Sequence, residues 1–492
     1  MIFLWIFLPV TFLGSKLIVR FTKRDRRIRV LNLFYLICSL IFYAWGGIYY
    51  LLIILASIAV NFAGGYLVNP KTHSKKQAKI ALIGILSLNL LNLFVFKYFN
   101  MAVIVLEAMM ANGGIKGLLH AILYMEGTGA LGLPEIILPI GISFFTFQSM
   151  SYVIDVYRGT VSIQTSLLDF ALYVAFFPQL IAGPIVRYKD IAGQLRKRRR
   201  TRSMVIEGQK RFVFGLAKKV LLANTFGAIA DGIWDLEIAK LGGPLAWLGM
   251  ISYTIQIYYD FSGYSDMAIG IGRILGFTFA ENFNEPYTAT SVQDFWRRWH
   301  MSLSGWFREY VYIPLGGSRE GLTRTCLNTL IVFTLTGIWH GANFTFLAWG
   351  LFYAILLIAE RLFLGRLLKK NPLKWINWLY TMLVVMAAWV FFRSDNISQA
   401  LTFLSQLFHG ISSSYSVFSY LSLKAILLFF AAVFFSGWGQ RLFRRFSPVS
   451  AEDLSKEPIF SYIELAVELL LIFFCILELA DGSYNAFIYF QF

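Results

Sequence analysis

Residues 326–361 read CLNTLIVFTLTGIWHGANFTFLAWGLFYAILLIAER, an apolar run with basic residues at both edges. The run is too long for one plain transmembrane helix, because about 20 residues cross a bilayer. Arg324 precedes the run and Arg361 ends it, and basic residues collect on the cytoplasmic side of a membrane. Both ends are therefore expected in the cytoplasm, and the chain must turn back between them.

His340 lies in the middle of this run. Gly337, Gly341 and Asn343 surround it and provide the natural turn or helix break. An ionisable side chain at membrane depth costs free energy unless it faces protein or a water-filled cavity. We therefore predict that His340 is a functional residue deep inside a helical bundle, in preference to a satisfied core histidine.

The composition indicates a polytopic membrane protein. With 58% hydrophobic and only 14% charged residues, the chain is far more apolar than a soluble domain. Backbone groups in lipid must be paired within the segment, and the alternating polarity of a membrane barrel is absent. The fold is therefore predicted to be all-α, with about 11–13 transmembrane helices plus re-entrant or interfacial helices.

The net charge of +17 is concentrated in short loops between the apolar segments. This distribution marks the loops as cytoplasmic and argues against nucleic acid as a partner. The basic loops are residues 20–29, 71–79, 187–211, 297–324, 361–374 and 441–445. Counting the spans between them places both termini outside the cytoplasm.

Spans are expected where apolar stretches approach the thickness of a bilayer. They are predicted near residues 2–19, 31–46, 48–68, 80–99, 134–154, 376–392, 420–438 and 459–479, with two or three more between 212 and 279. The first of these is interpreted as a retained span and not as a signal peptide. Pro178 and Pro184 break the segment that begins at Leu167, which is therefore expected to be re-entrant and buried in protein or beside a cavity.

Residues 280–320 read AENFNEPYTATSVQDFWRRWHMSLSGWFREYVYIPLGGSRE. A stretch rich in Arg and Trp is typical of an interfacial anchor with its aromatic rings at headgroup depth. The alternative is that Arg297, Arg298 and Arg308 face a polyanionic cytosolic ligand, because guanidinium groups suit phosphate. His300 closes the string FWRRWH and is the second candidate histidine.

Cysteine spacing and missing motifs argue against metal sites, redox pairs and serine hydrolases. Cys38, Cys326 and Cys475 lie far apart, so neither a zinc site nor a redox pair is predicted. The sequence contains no HExxH motif and no Gly-x-Ser-x-Gly elbow. No metal site and no bound cofactor are therefore predicted.

Several strings together resemble the membrane-bound O-acyltransferases (MBOAT family), most closely the bacterial alginate O-acetyltransferase branch. The strings are Asn284-x-Pro286-Tyr287, DFWRRWH at 294–300, YIPLGG at 312–317, GIWHG at 337–341, YDFSGYSD at 259–266 and FPQLIAGP at 177–184. The resemblance implies one membrane-embedded domain over residues 1–492, with a family core of about 133–440. It also implies an MBOAT-type bundle that encloses a tunnel.

The resemblance also implies roles for individual residues. His340 and His300 correspond to the family's two histidines; His340 is expected to be the catalytic general base, and His300 to position donor or acceptor. Donor-binding or tunnel-lining roles are expected for Asn284, Arg297, Arg298, Arg308, Trp339, Asn343 and Asp260. Asn284 and Asn343 are candidates for the oxyanion partner by polarity and by proximity in sequence only.

The implied reaction moves an acetyl group from a cytosolic thioester, with acetyl-CoA as co-substrate, across the bacterial inner membrane to an extracellular or cell-wall polysaccharide. An extracytoplasmic SGNH-hydrolase-like acetyltransferase is the expected partner. Two alternatives remain open at this stage. One is a D-alanyl transferase for teichoic acids that uses an acyl carrier protein, and the other is a transporter of a lipid-linked glycan.

The chain ends in FIYFQF, residues 487–492, within an expected extracytoplasmic tail at 481–492. Such a string is typical of an aromatic anchor at the outer interface. Similar tails in the bacterial branch that the chain resembles imply a second interpretation, in which Tyr489 accepts the acyl group on its phenolic oxygen and relays it.

Overall fold

The computed structural model describes residues 2–126, 129–134, 136–180, 183–412, 414–446, 458–480 and 482. These residues form helices and connecting segments, and the described part of the chain contains no β-strand beyond one isolated bridge between Gly242 and Ile411. The aromatic tail, with Tyr489, lies outside the described residues apart from Gly482.

Eighteen helices are labelled here in chain order. They are α1 Phe3–Phe21, α2 Arg27–Ala44, α3 Ile48–Leu67, α4 Lys75–Asn112, α5 Gly114–Tyr124, α6 Ile142–Tyr157, α7 Leu167–Ala175, α8 Tyr188–Arg196, α9 Arg202–Trp234, α10 Gly243–Ile274, α11 Val292–Arg298, α12 Met301–Phe307, α13 Leu322–His340, α14 Phe344–Lys370, α15 Lys374–Arg393, α16 Ile397–Gln406, α17 Leu423–Leu442 and α18 Pro458–Ala480.

Eight of these helices are long and apolar enough to cross a membrane, counted over the described residues: α1 to α4, α9, α14, α15 and α17. The chain is thus an all-α, multi-pass membrane protein, as predicted. α10, α13 and α18 have 32, 19 and 23 residues, which is also long enough to cross a bilayer. The predicted total of about 11–13 spans stays a prediction.

The contacts of the chain divide into two compact units. The first unit contains residues Met1–Phe99, Ile136–Phe212 and Tyr264–Glu281, and the second contains Asn100–Glu135, Val213–Gly263 and Asn282–Phe492. The expectation of a single membrane domain stays a prediction.

The first unit has a core of tightly packed aromatic and aliphatic side chains around α6, which is buried along almost its whole length. α7 has nine residues, or about 14 Å, and therefore cannot cross a bilayer. Its residues Phe170–Ala175 and the following turn Phe177–Leu180 are buried. This agrees with the expectation of a re-entrant segment enclosed in protein.

Two predicted spans differ from the structure in their bounds. The span expected at 134–154 begins only at Ile142, because Pro139 and the left-handed Gly141 (φ 75°) keep the preceding residues out of a helix. The span expected at 80–99 is part of the much longer α4, which continues through a π-helical turn, Phe94–Tyr98, to Asn112.

The second unit is built around the hairpin of α13 and α14. The two helices approach closely where Gly337 faces Gly350: a Cβ added at Gly337 would lie 2.4 Å from the carbonyl oxygen of Phe346. The close approach explains why glycine is needed at this point of α13. The predicted turn in the apolar run is confirmed, and it lies between His340 and Phe344.

Candidate functional site

The turn between α13 and α14 places His340 at the last residue of α13. Gly341 follows in an extended conformation, and a Cβ there would lie 2.1 Å from the ring of Phe346. Asn343 begins α14 as its N-cap and accepts a hydrogen bond from the backbone N–H of Thr345 at 3.0 Å. The glycine and the cap together fix where α13 ends.

Asn343 is therefore a structural residue in this arrangement. Its side-chain oxygen caps α14, and its Nδ2 donates to the carbonyl oxygen of Asp395 at 2.6 Å. Both ends of the amide are used within the protein. The structure gives no support to Asn343 as an oxyanion donor.

His340 lies among aromatic rings. Its imidazole is 4% exposed, and ring centroids lie 5.0 Å away for Trp339, 4.9 Å for Trp349 and 5.1 Å for Phe392. These rings come from α13, α14 and α15, so three helices enclose the histidine. An enclosed imidazole of this kind is shielded from bulk water and can exchange a proton with a bound substrate.

His300 connects α11 to α12 and is fully buried. Its backbone is left-handed (φ 44°), which is unusual for a residue with a side chain. The Nδ1 atom lies 3.0 Å from Oδ1 of Asn282, and the ring of Phe261 packs edge-on at 4.6 Å. Burial lowers the pKa of His300 to about 3, so the ring is neutral at physiological pH.

The ring of Trp339 is close to the rings of both histidines. Its ring centroid lies 6.1 Å from that of His300 and 5.0 Å from that of His340. Three of the predicted site residues thus come together.

Asp260 precedes Phe261 on α10, is buried, and forms an ion pair with Lys219 (Oδ1 to Nζ, 2.6 Å).

A cavity of about 240 Å³ lies between α11, α12, α13 and α14. Its lining residues include three arginines, Arg297, Arg308 and Arg361, together with Tyr312 and Thr336. Three arginines around one cavity favour a ligand with several negative charges, such as phosphate groups. Arg297 and Arg308 were predicted for this role from the sequence.

Arg298 and Asn284, which were also predicted to line the site, do not line this cavity. Arg298 forms an ion pair with Asp294 one turn earlier in α11 (Nε to Oδ1, 3.0 Å). Asn284 is exposed, and its backbone N–H donates to the carbonyl oxygen of Arg298 at 2.9 Å. Both residues hold the segment before α11 in place.

The cavity lies next to the surroundings of His340. Thr336 lines the cavity and is one turn before His340 on α13, a rise of about 6 Å. Trp296 lines it too, and its ring lies 5.7 Å from that of Trp349, which packs against His340. The indole rings of Trp296 and Trp349 therefore separate the arginine cavity from the imidazole of His340.

A carboxylate on α14 holds α11 in position. Glu360 accepts hydrogen bonds from the backbone N–H groups of Val292 at 2.7 Å and Gln293 at 2.9 Å. The free N–H groups at a helix start favour a negative charge. Glu360 thereby fixes the helix that carries Arg297 to the cavity and leads into His300.

Most aromatic side chains of segment 280–320 are buried in protein. Trp299 is 2% exposed and Trp306 is 3% exposed, and Phe295 is fully buried. An interfacial anchor would present these rings to the headgroups. From Asn282 onward the segment belongs to the second unit and buries most of its aromatic rings, which favours the interpretation as a ligand-binding element.

Sequence reasoning missed five residues of this arrangement: Asn282, Trp349, Phe392, Glu360 and Arg361. Arg361 was used only to orient the apolar run. The other four act through contacts between helices that are distant in sequence, and no local spacing signals them. Asn282 is two residues from Asn284, which was chosen for its place in the motif.

Comparison with known proteins agrees with this geometry. Residues 161–397, which include both histidines, match the membrane-bound O-acyltransferase (MBOAT) family. A probable alginate O-acetylase, AlgI, of Pseudomonas putida is 38% identical over 100% of this chain and 99% of its own length. The AlgI protein of Pseudomonas aeruginosa is 43% identical over 81% of this chain and 72% of its own.

A peptidoglycan O-acetyltransferase of Helicobacter pylori is 34% identical over 84% of this chain and 80% of its own length. Similarity of this extent includes α11 to α14 and the two histidines between them. The chain therefore belongs to the membrane-bound O-acyltransferase family and is an acyltransferase embedded in the membrane.

Proposed function

We propose that this protein is a membrane O-acetyltransferase that moves an acetyl group from cytosolic acetyl-CoA across the bacterial inner membrane, for O-acetylation of an extracellular or cell-wall polysaccharide. The names of its relatives support acetylation of a polysaccharide. The observation that carries the donor assignment is the arginine-lined cavity beside the helix that ends at His340.

Coenzyme A carries several phosphate groups, and the cavity offers the matching charge. Arg297, Arg308 and Arg361 bind the phosphate end of the donor. At about 240 Å³, the cavity is smaller than the roughly 300–1,000 Å³ of a typical drug-sized site, so it holds only part of coenzyme A. The thioester arm extends beyond it, past Trp296, toward His340.

His340 acts as the general base. Its imidazole takes the proton of the accepting hydroxyl as that oxygen attacks the thioester carbonyl carbon. The carbon–sulfur bond then breaks, and the leaving thiolate takes up the proton from the imidazolium. The rings of Trp339, Trp349 and Phe392 exclude water, which would otherwise hydrolyse the thioester.

The outward half of the reaction is assigned to the C-terminal tail. Tyr489 receives the acetyl group as an ester of its phenolic oxygen and passes it to an extracytoplasmic, SGNH-hydrolase-like acetyltransferase that completes transfer to the polysaccharide. The aromatic string at 487–492 supports this step. The chain termini are accordingly outside the cytoplasm.

The test is transfer of labelled acetyl from acetyl-CoA to the purified protein in lipid nanodiscs, followed by mass spectrometry of the C-terminal peptide. We expect label on Tyr489 in the wild type and none after Tyr489→Phe. His340→Ala is expected to lower transfer by about 10²–10⁴-fold, the usual contribution of general base catalysis. His409→Ala, an exposed histidine, is the matched control and should transfer normally.

Two results would overturn the proposal. One is a folded His340→Ala protein that transfers acetyl at the wild-type rate. The other is a wild-type protein that transfers no acetyl group from acetyl-CoA. Transfer of D-alanine from a carrier protein would then identify a D-alanyl transferase, and glycan movement without thioester consumption would identify a transporter.

A further inference from the structure

The side chain of Asn282 has an orientation that its neighbours determine. Its Oδ1 atom accepts from Ser302 Oγ at 2.8 Å and from the backbone N–H of Ser302 at 3.3 Å, and lies 3.0 Å from His300 Nδ1. A backbone N–H can only donate, so the atom facing Ser302 must be the amide oxygen and not the amide nitrogen.

The amide oxygen in turn determines the proton position on His300. An oxygen that accepts at Nδ1 requires the proton to be on Nδ1, and a neutral imidazole carries only one ring proton. The lone pair of His300 is therefore on Nε2. The hydrogen bond at one ring nitrogen thus decides what the other nitrogen can do.

Nε2 of His300 is fully buried, and no protein group in the described part of the chain donates a hydrogen bond to it. The centroid of the His300 ring lies 4.6 Å from that of Phe261 and 6.1 Å from that of Trp339. Buried polar atoms are usually hydrogen-bonded, and a lone pair without a donor in the protein can accept from a bound molecule.

The backbone around His300 supports the same conclusion. The left-handed conformation at φ 44° is held by a hydrogen bond from Met301 N–H to the carbonyl oxygen of Asn282 at 2.9 Å. A second bond joins Asn284 N–H to the carbonyl oxygen of Arg298 at 2.9 Å. Strained backbone that is held from both sides is a common feature of functional sites.

We infer that Asn282 is a positioning residue that holds His300 as its Nδ1–H tautomer, so that the Nε2 lone pair accepts a hydrogen bond from an O–H or N–H group of a bound substrate. The O–H group belongs to the acceptor hydroxyl, and the N–H group belongs to the amides of the thioester arm. The identity of these substrates rests on the proposed function, whereas the tautomer does not.

The tautomer is tested by nuclear magnetic resonance of protein labelled with ring-¹⁵N histidine in nanodiscs. The His300 signals are those that disappear in His300→Gln. We expect a protonated Nδ1 in the wild type, in Asn282→Asp, which keeps the accepting oxygen, and in the control Ser302→Ala. In Asn282→Leu the proton is expected to move at least partly to Nε2. A wild-type protein with the proton on Nε2 would overturn the inference.

The hydrogen bond to substrate is tested by kinetics. Asn282→Leu is expected to weaken acetyl transfer to Tyr489 by about tenfold, about the effect of one hydrogen bond, and Asn282→Asp is expected to stay close to the wild type. A raised KM for acetyl-CoA identifies the N–H group. An unchanged KM for acetyl-CoA with slower labelling of Tyr489 identifies the O–H group of the acceptor.

An Asn282→Leu protein with an altered tautomer, an unchanged KM for acetyl-CoA and unchanged labelling of Tyr489 contradicts the substrate role of Nε2. If the proposed function itself is wrong, magnetic resonance still shows the expected tautomer of His300, but no variant transfers acetyl. The two failures are therefore distinguishable.

Discussion

Arg361 carries a specific expectation at the scale of single residues. It lines the cavity from α14, and loss of its charge removes one of the three arginines that we propose bind a phosphate-bearing donor. Hydrogen bonds to charged groups are worth about 1.5–3 kcal/mol, so Arg361→Gln should raise KM for acetyl-CoA roughly tenfold or more. kcat should change little, because Arg361 does not contact His340. Steady-state acetyl transfer measures both values.

Arg366 provides the matched control for this prediction. It is exposed on the same helix and does not line the cavity, so Arg366→Gln makes the same change of charge without removing a ligand contact. Equal increases in KM for the two variants would mean that general surface charge, and not the cavity, attracts the donor.

The burial of His340 at a turn follows from the bilayer, because an imidazole at membrane depth needs a partner or a cavity. Packing decides elsewhere. Arg298 was chosen because guanidinium groups suit phosphate, yet it pairs with Asp294. Asn284 was chosen for its polarity and its place in a motif, yet its backbone binds that of Arg298. The contacts of Asn282 could not be predicted, since they depend on the left-handed turn at His300.

At the scale of helices, the α13–α14 hairpin makes a prediction about stability. Gly341→Ala would place a methyl group 2.1 Å from the ring of Phe346, and the turn would have to open. Overpacking of this kind costs about 1–3 kcal/mol. We expect a lower unfolding temperature and a loss of transfer activity, since the end of α13 carries His340.

Gly84 in α4 is the control for this substitution, because nothing lies within 4 Å of a Cβ added there. Gly84→Ala should leave stability unchanged or raise it slightly, since alanine favours helix over glycine. Equal melting temperatures for Gly341→Ala and the wild type would contradict the tight turn.

Long helices were predictable because bilayer thickness and flanking charges define them. The ends of the expected spans at 31–46, 48–68 and 376–392 agree with those of α2, α3 and α15 to within four residues. The short helices α11 and α12 were not predicted as buried elements. Their aromatic side chains suit a lipid interface and a protein core equally well, and only the tertiary contacts decide between these two locations.

At the scale of the whole molecule, the distribution of charge predicts that both termini are outside the cytoplasm. Alkaline phosphatase fused after Phe492 should be active, because the enzyme folds only in the oxidising compartment. The same reporter inserted in the basic loop 71–79 should be inactive. The opposite pattern of activity would contradict the orientation.

α14 has a further consequence for the choice of donor. The same helix carries Trp349 beside His340 and Arg361 in the cavity, and these residues are twelve positions, or about 18 Å, apart along its axis. Under the proposed function, the donor must span this distance between its phosphate end and its thioester. A thioester with a much shorter arm cannot reach both ends at once, so simple acyl thiols should be poor substrates even at high concentration.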